Sequence, residues 1–180
     1  MEPVNKQAFL NRLYQRVENH LYQAIHVFQN MSEQSLLMAP ATGGWSIAQC
    51  LQHLNEYGNY YLPVIEQAIN KHSDTANPNF KSSWLGSYFT KMMEPETGKK
   101  KMKAFKKYDP PRQLNAYTVV AEFIQQQEQL LLLLYKASSA DLNKRIPISL
   151  TPLIRLKLGD VFQFVIAHNE RHVQQAKKLL

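Results

Sequence analysis

The chain has 180 residues, of which 44% are hydrophobic and 19% charged, and its formal net charge is +7. This length allows one domain, 1–180, with a substantial core, and the composition excludes a disordered or low-complexity chain. Because Cys50 is the only cysteine, no intramolecular disulfide can form, and nothing calls for an oxidising compartment.

No segment has the length and apolar character of a membrane anchor. The longest apolar run, residues 130–135, is far shorter than the ~20 residues that span a bilayer. The first twenty residues are amphipathic and charged, without the apolar stretch of a secretory signal. We therefore expect a cytoplasmic protein with no membrane partner.

Two amphipathic helices are predicted in the first part of the chain. Apolar residues recur at three- and four-residue steps over 5–30, which indicates the first helix. Ser46 and Gln49 form a capping box that begins the second, and Trp45 is placed before it to pack as a hydrophobic staple. Pro63 should kink this second helix. Its predicted apolar face contains Ile47, Cys50, Leu51, Leu54, Tyr57, Tyr61 and Ile65.

The segment 72–111 lacks periodicity and collects prolines, which predicts a long crossover. Connections of this length are often functional, so we expect part of it to cover a site. A short helix is predicted over 84–89. The aromatic residues expected to pack down are Phe80, Trp84, Tyr88 and Phe89.

The positive charge is concentrated in the same region. Residues 91–112 contain eight Lys or Arg against three acidic residues, a net charge of +5. We interpret the lysine-rich part, from Lys99 to Lys107, as a solvated loop. Binding of an anionic partner is the alternative, although nucleic acid is not an expected partner.

A third helix is predicted over 112–137. Glu128 is the odd member of its apolar face, and we expect it at the edge of that face or paired with a cation, because a buried carboxylate is costly alone. The predicted face contains Leu114, Tyr117, Ala121, Ile124, Glu128, Leu131 and Tyr135.

A last helix is predicted over 158–180, after an extended passage with Pro147 and Pro152. Val161, Val165, His168, His172, Gln175 and Leu179 fall on one face of it, so both histidines should point inward. The fold class is thus all-α, a four-helix bundle with a long crossover between helices 2 and 3.

Three histidines indicate a metal site. His168 and His172 lie one helical turn apart, with Cβ atoms about 5–6 Å apart, and both rings can reach one ion at about 2.0–2.1 Å. His53 on the second helix can meet them at one end of the bundle. Three ligands leave a tetrahedral ion one open position, as in catalytic zinc sites. The alternative is inward polar groups satisfied by neighbouring helices without a metal.

The sequence resembles the DinB superfamily of metal-binding bundles. Residues 44–54 (GWSIAQCLQHL) are similar to the family's Trp-Ser followed by a helix with His-Leu. Residues 168–175 (HNERHVQQ) resemble its closing H-x-x-x-H-x-x-Q, and the helix order matches along essentially the whole chain. The resemblance implies that His53, His168 and His172 are the metal ligands, and it also implies a homodimer.

The resemblance leaves the reaction open. Proteins of the family that this sequence resembles include thiol-dependent S-transferases that use bacillithiol or mycothiol, a thiol-dependent isomerase and metal-dependent hydrolases. Our leading hypothesis is S-transfer to a small electrophilic molecule, with zinc or nickel as the divalent metal and a low-molecular-weight thiol as co-substrate. Metal-dependent hydrolysis is one alternative, and a non-catalytic metal- or anion-binding bundle is the other.

Three residues near the predicted ligands are candidates for other roles in the site. Glu56, one turn after His53, is the candidate general base for hydrolysis. Gln175 is expected to orient a ligand or a water by hydrogen bonding. Cys50 is interpreted as a small buried hydrophobe rather than a fourth ligand. The remaining histidines, His20, His26 and His72, are not expected to bind metal.

Overall fold

The computed structural model describes residues 2–71, 77–98 and 105–180, most of which are helical. The helices of these residues are α1 (Lys6–His26), α2 (Glu33–Leu37), α3 (Ile47–Asn70), α4 (Trp84–Met93), α5 (Ala116–Lys136) and α6 (Leu158–Lys177). Two short antiparallel strand pairs accompany them: β1 (Val4–Asn5) with β2 (Asn79–Phe80), and β3 (Arg145–Ile148) with β4 (Thr151–Lys157).

The long helices α1, α3, α5 and α6 form a four-helix bundle. Helix α3 packs against α5 and α6, and α1 packs against the same two helices, so the four close into a ring. The predicted all-α bundle with a long crossover is confirmed. None of the helices that the structure describes combines the length and the apolar character needed to cross a bilayer.

The apolar core consists of two clusters, here called the Phe123 cluster and the Phe162 cluster. On α3, residues 47–54 belong to the Phe123 cluster and residues 57–69 to the Phe162 cluster. Helix α5 meets the clusters in the same order, whereas α1 and α6 meet them in the reverse order. Because α3 and α5 therefore run in the same direction, the chain has to return between them, which is what the long crossover does.

Side-chain caps fix where several helices begin. A capping oxygen accepts a hydrogen bond from a backbone N–H in the first turn, which satisfies a group that the helix leaves unpaired. The predicted capping box of Ser46 and Gln49 is present at the start of α3. The capping residues of α1, α4 and α5 are Asn5, Ser83 and Asn115.

The helix ends differ from the predicted ones by a few residues. Helix α1 ends at His26 and a 3-10 turn follows it, and α5 begins only at Ala116 because Asn115 caps it. Helix α6 ends at Lys177, and α4 continues to Met93, past the predicted short helix. The extended passage before α6 forms the β3–β4 pair.

The predicted apolar face of α5 was wrong. Tyr117 and Tyr135 are 52% and 74% exposed, and Glu128 is exposed as well. The buried face instead contains Ala116, Val119, Val120, Phe123, Gln126, Gln127, Leu130, Leu133 and Leu134. Two glutamines lie in the middle of this face, so it looks polar in sequence. The predicted face beside it is only partly buried, through Leu114, Ile124 and Leu131.

Helix α4 is attached to the bundle by Asp160 in the first turn of α6. This fully buried carboxylate accepts hydrogen bonds from the Ser83 backbone N–H at 3.1 Å and from the Ser82 and Ser83 hydroxyls. Phe80 is buried as predicted and packs on Phe9, with ring centroids 4.6 Å apart. In contrast, Trp84 is 80% exposed, so its predicted inward packing was wrong.

Tyr88, one turn after Trp84, is 52% exposed and was also wrongly expected to pack inward. Its ring stacks on Trp84, with centroids 6.1 Å apart. Phe89 is partly buried against the Phe162 cluster, in agreement with the prediction. The inner face of α4 therefore starts one residue later than the aromatic pattern suggested.

Gly86→Ala is expected to destabilise the protein, because a Cβ at Gly86 would overlap the side chain of Asp160. We expect a loss of about 1–3 kcal/mol in the free energy of unfolding, typical of overpacking, in a urea titration. Lys91→Ala, at an exposed position of the same helix, is the control and should change it by less than about 0.5 kcal/mol. Equal stability of both variants would contradict the close approach of Gly86 to the Asp160 side chain.

Candidate metal centre

A layer of buried polar side chains crosses the bundle between the two apolar clusters. We call it the mid-bundle polar layer. Each long helix contributes to it, and burying such groups is costly unless they find partners. Its members are His20 on α1, His53 and Asn55 on α3, Gln126 and Gln127 on α5, and His168, Asn169 and His172 on α6.

The structure brings the three predicted histidines together inside this layer. His53, His168 and His172 are only 3%, 4% and 9% exposed, and one ring nitrogen from each lies within 4.8 Å of the others. They meet in the middle of the bundle, between the two clusters, rather than at one end as the sequence suggested.

The spacing of the ring nitrogens fits one small cation. The Nε2 atoms of His53 and His168 are 3.1 Å apart. Two nitrogens bound at about 2.0–2.1 Å to a tetrahedral ion would lie about 3.3 Å apart. The His53–His168 pair is thus close to the separation that a bound ion requires, and the ring nitrogen of His172 lies within 4.8 Å of both.

Hydrogen bonds orient two of the three rings. The Nδ1–H of His53 donates to the Tyr108 backbone carbonyl at 2.7 Å, and the Nδ1–H of His172 donates to Gln175 Oε1 at 3.0 Å. This assignment leaves the Nε2 lone pair of each ring free for a metal. Gln175 thus contacts a predicted ligand, as expected, whereas the sequence gave no sign of Tyr108, which acts through its backbone.

Burial lowers the pKa of all three imidazoles. Desolvation is the main cause for each ring. It lowers the pKa of His172 to about 3, and it holds the pKa of His168 well below its ordinary value, with the neighbouring rings and Arg171 acting in the same direction. The rings are therefore neutral at physiological pH, which is the form that binds a metal.

Aromatic side chains enclose the histidines. The Trp45 ring lies 4.7 Å from the His53 ring and 5.5 Å from the His172 ring, centroid to centroid. The Tyr57 ring lies 4.5 Å from the His168 ring. Trp45 was predicted only as a staple for α3, and Tyr57 only as a core residue. The sequence signal that could have placed them at the site is their position on α3: Trp45 directly precedes the helix cap, and Tyr57 lies one turn after His53.

Two other candidates lie apart from the cluster of ring nitrogens. Glu56 is exposed, and its Oε1 accepts a hydrogen bond from Gln52 Nε2 at 2.9 Å, an arrangement that does not favour its predicted role as a base. Cys50 is fully buried, and burial raises the pKa of its thiol to about 12. Neither belongs to the group that could share an ion among the described residues.

Of the remaining histidines, His20 and His26 also lie outside that group. His20 is buried in the polar layer, where its Nε2 lies 2.7 Å from Glu170 Oε2. His26 is exposed beside Tyr22. His72 falls outside the described residues, as do four lysines of the basic segment, Lys99, Lys100, Lys101 and Lys103.

An apolar cavity of about 210 Å³ adjoins the histidines. Tyr57 and Phe164 belong both to its lining and to the surroundings of His168, whose ring centroid lies 6.0 Å from that of Phe164. These two side chains thus belong both to the cavity lining and to the first contacts of His168, while the three histidines themselves are not part of the lining.

With this geometry in place, comparison with known proteins identifies the family. The model of the DinB superfamily matches residues 16–176. The chain belongs to the DinB superfamily. This confirms the resemblance noted from the Trp-Ser turn and the closing histidine motif, and the matched residues include all three clustered histidines.

A solved structure supports the fold of this DinB-superfamily chain. It is similar to YfiT from Bacillus subtilis, with a TM-score of 0.56 and 14% sequence identity over 97% of this chain and 85% of that one. YfiT is described as "a probable metal-dependent hydrolase with an unusual four-helix bundle topology". No curated protein matches the chain at a significant level.

Glu170 lies on α6 between the two histidines of that helix and is expected to hold α6 against α1. The hydrogen bond with His20 lowers the pKa of Glu170 to about 2. Glu170→Ala would leave the His20 ring buried without this partner, and His20 Nδ1 already has none in the described part of the chain. We expect a loss of about 1–3 kcal/mol in the free energy of unfolding.

Chemical denaturation followed by circular dichroism measures this loss. Glu128→Ala, which removes an exposed glutamate from α5, is the matched control and should change the stability by less than about 0.5 kcal/mol. If the two variants unfold at the same denaturant concentration, the His20–Glu170 pair does not stabilise the bundle.

Proposed function

We propose that this protein is a metal-dependent enzyme that uses the three-histidine site to act on a small electrophilic molecule. The observation that carries the proposal is the convergence of three buried, neutral imidazoles beside an apolar cavity. His53, His168 and His172 would hold a divalent ion such as zinc or nickel. When bound, such an ion would acidify a water or thiol and so supply a nucleophile at neutral pH.

The donor set favours catalysis over a structural role. Structural zinc sites usually have four protein ligands, whereas catalytic sites have three and keep one position for an exchangeable ligand. Among the described residues, the group that can share an ion has three members, all neutral, and they would leave its positive charge uncompensated. Such a site attracts an anionic nucleophile.

Transfer of a thiol to the electrophile is the favoured reaction. The thiol sulfur forms a bond to the electrophilic carbon, the leaving group departs with its bonding electron pair, and the thiol proton is released to solvent. Thiol transfer needs no protein base once the thiol is ionised, and Glu56, the base considered for hydrolysis, is exposed and bonded to Gln52. The co-substrate would be a low-molecular-weight thiol.

Hydrolysis is the second candidate function. It is favoured by the likeness to YfiT, although at 14% identity this likeness extends to the fold alone. Here water would replace the thiol as nucleophile, and a proton acceptor would be required.

A non-catalytic bundle that binds a metal, or an anion through Lys99 to Lys107, is the third candidate function. Its signature would be binding without turnover.

The homodimer and the cytoplasmic location implied earlier stay predictions. Exposed apolar side chains of α1 and α5, namely Tyr14, Tyr22, Leu132 and Tyr135, offer a surface for a second copy. Light scattering coupled to gel filtration should then give twice the mass of one chain. A mass of one chain at micromolar concentration would contradict the homodimer.

Metal content and turnover test the proposed function together. We expect about one zinc or nickel ion per chain by elemental analysis, and its loss in His168→Ala and His172→Ala. His26→Ala, which changes an exposed histidine on α1, is the matched control and should keep the metal. The metal-loaded protein should conjugate a thiol such as bacillithiol to monochlorobimane, and the two metal-free variants should not.

Each other outcome has a definite meaning. Thiol-independent cleavage of p-nitrophenyl acetate, lost with the metal, would favour the hydrolase. Metal binding without turnover of any substrate would favour the non-catalytic bundle. Unchanged turnover in a variant that has lost its metal would refute a catalytic role for the three histidines.

A further inference from the structure

Two aromatic side chains contact the histidines and also line the apolar cavity. Tyr57 packs on His168 with ring centroids 4.5 Å apart and on His53 at 5.0 Å, and its ring also lines the cavity. Phe164, one turn before His168 on α6, stacks on that ligand's ring and lines the cavity as well. The cavity therefore lies one aromatic side chain away from the imidazole of His168.

The outer wall of the cavity is helix α4, and its N-terminal end is fixed by α6. Phe89, Met92 and Met93 of α4 line the cavity. Asp160, in the first turn of α6, accepts hydrogen bonds from Ser82 and Ser83 at the start of α4.

Two arginines fix the other end of α4. Arg171, between the α6 histidines, donates from Nη1 to the carbonyl of Met92 at 3.2 Å and to that of Gly98 at 2.8 Å. Arg16 of α1 binds both carboxylate oxygens of Glu94, the C-cap residue of α4, at 2.7 and 3.0 Å. The helix that carries two of the three histidines thus also sets the distance between them and the cavity wall.

The size and lining of the cavity select its occupant. Its volume of about 210 Å³ exceeds the ~150 Å³ of an engineered apolar cavity that stays dry and binds benzene. Tyr61, Leu156 and Phe164 supply further apolar surface. One polar atom, Ser149 Oγ, belongs to a lining residue and is buried without a hydrogen-bond partner in the described part of the chain.

We propose that this cavity binds the apolar part of the substrate, so that the enzyme acts on small electrophiles that carry a benzene-sized aromatic or branched alkyl group next to the reacting carbon. This inference rests on the proposed function, because it takes the histidines as the reacting end of the site. Ser149 Oγ would meet a polar substituent on that group.

Two metal-binding probes with the same headgroup separate the cavity from the metal. Acetohydroxamate and phenylacetohydroxamate both chelate a divalent ion, but only the second carries a phenyl group. With zinc-loaded protein, we expect calorimetry to give an affinity for phenylacetohydroxamate about tenfold to hundredfold higher, the factor typical of burying one ring. Equal affinities for the two probes would overturn the proposal.

A matched pair of Met→Trp variants tests where the phenyl group binds. Met92→Trp adds bulk to the cavity lining and should abolish the preference for phenylacetohydroxamate while leaving the affinity for acetohydroxamate unchanged. Met38→Trp makes the same change at a residue that is 59% exposed and should keep the preference. An unchanged preference in Met92→Trp would contradict the assignment.

A third variant keeps the proposal testable if Met92→Trp does not fold. Phe89→Ala enlarges the cavity at a partly buried position and should shift the preference toward the larger naphthylacetohydroxamate. The same order of affinities as in the wild-type protein would count against the cavity.

A metal-free measurement distinguishes failure of this inference from failure of the proposed function. Toluene has no metal-binding group, and its binding should shift the methyl NMR signals of Met92 and Met93 in the apo protein. If the protein binds neither metal nor acetohydroxamate but toluene shifts these signals, the proposed function fails and the cavity stands. If acetohydroxamate binds but toluene leaves the signals unchanged, the cavity proposal alone is wrong.

Discussion

The fold depends on how the bundle tolerates a layer of polar side chains in the middle of its core. Buried polar groups destabilise a protein unless they are hydrogen-bonded. Here Asn169 Nδ2 donates to Gln127 Oε1 at 3.1 Å, and Asn55 Nδ2 donates to the Val119 carbonyl at 3.0 Å, so other helices supply partners for these donors. Asn55 Oδ1 and His20 Nδ1 have no partner among the described residues. The apolar clusters on either side supply the burial that offsets the layer. The three histidines meet in this layer, so the least apolar part of the core contains the candidate metal ligands.

Helix α6 links the mid-bundle polar layer to α1 and to α4. Its turn from His168 to His172 presents two ring nitrogens to the interior, while Glu170 binds His20 of α1 and Arg171 binds the end of α4. Four residues within about one turn of α6 therefore contact three different parts of the protein: the interior of the bundle, α1 and the end of α4. A rotation of α6 that moved the rings would also break the attachments to α1 and α4, so the positions of the rings, the cavity wall and the bundle are set together.

Much of the fold and part of the site could be predicted from the sequence, because they depend on residues that recur at helical spacing or that form local pairs. The i, i+4 spacing of His168 and His172 and the capping box at Ser46 are local patterns, and the structure contains both the expected approach of the two rings and the capping box. The face of α5 could not be found this way, since Gln126 and Gln127 are buried only because partners on α3 and α6 meet them. The carbonyl of Tyr108 carries no side-chain signal. The cavity combines residues from α3, α4, α6 and the β3–β4 turn, which are distant in sequence.

The burial of the polar layer also bears on whether the three neutral histidines could hold a metal ion. Protonating a ring would bring a charge into a buried layer already crowded with neighbouring rings and Arg171, and the lowered pKa values express that cost. A water could satisfy a free Nε2 atom by donating one hydrogen bond, but it has two protons for three converging lone pairs. A divalent cation can accept all three lone pairs at once, and its binding free energy then adds to the stability of the folded chain. The convergence of three lone pairs, which is costly in a core without a partner, is therefore the feature that would favour a bound cation.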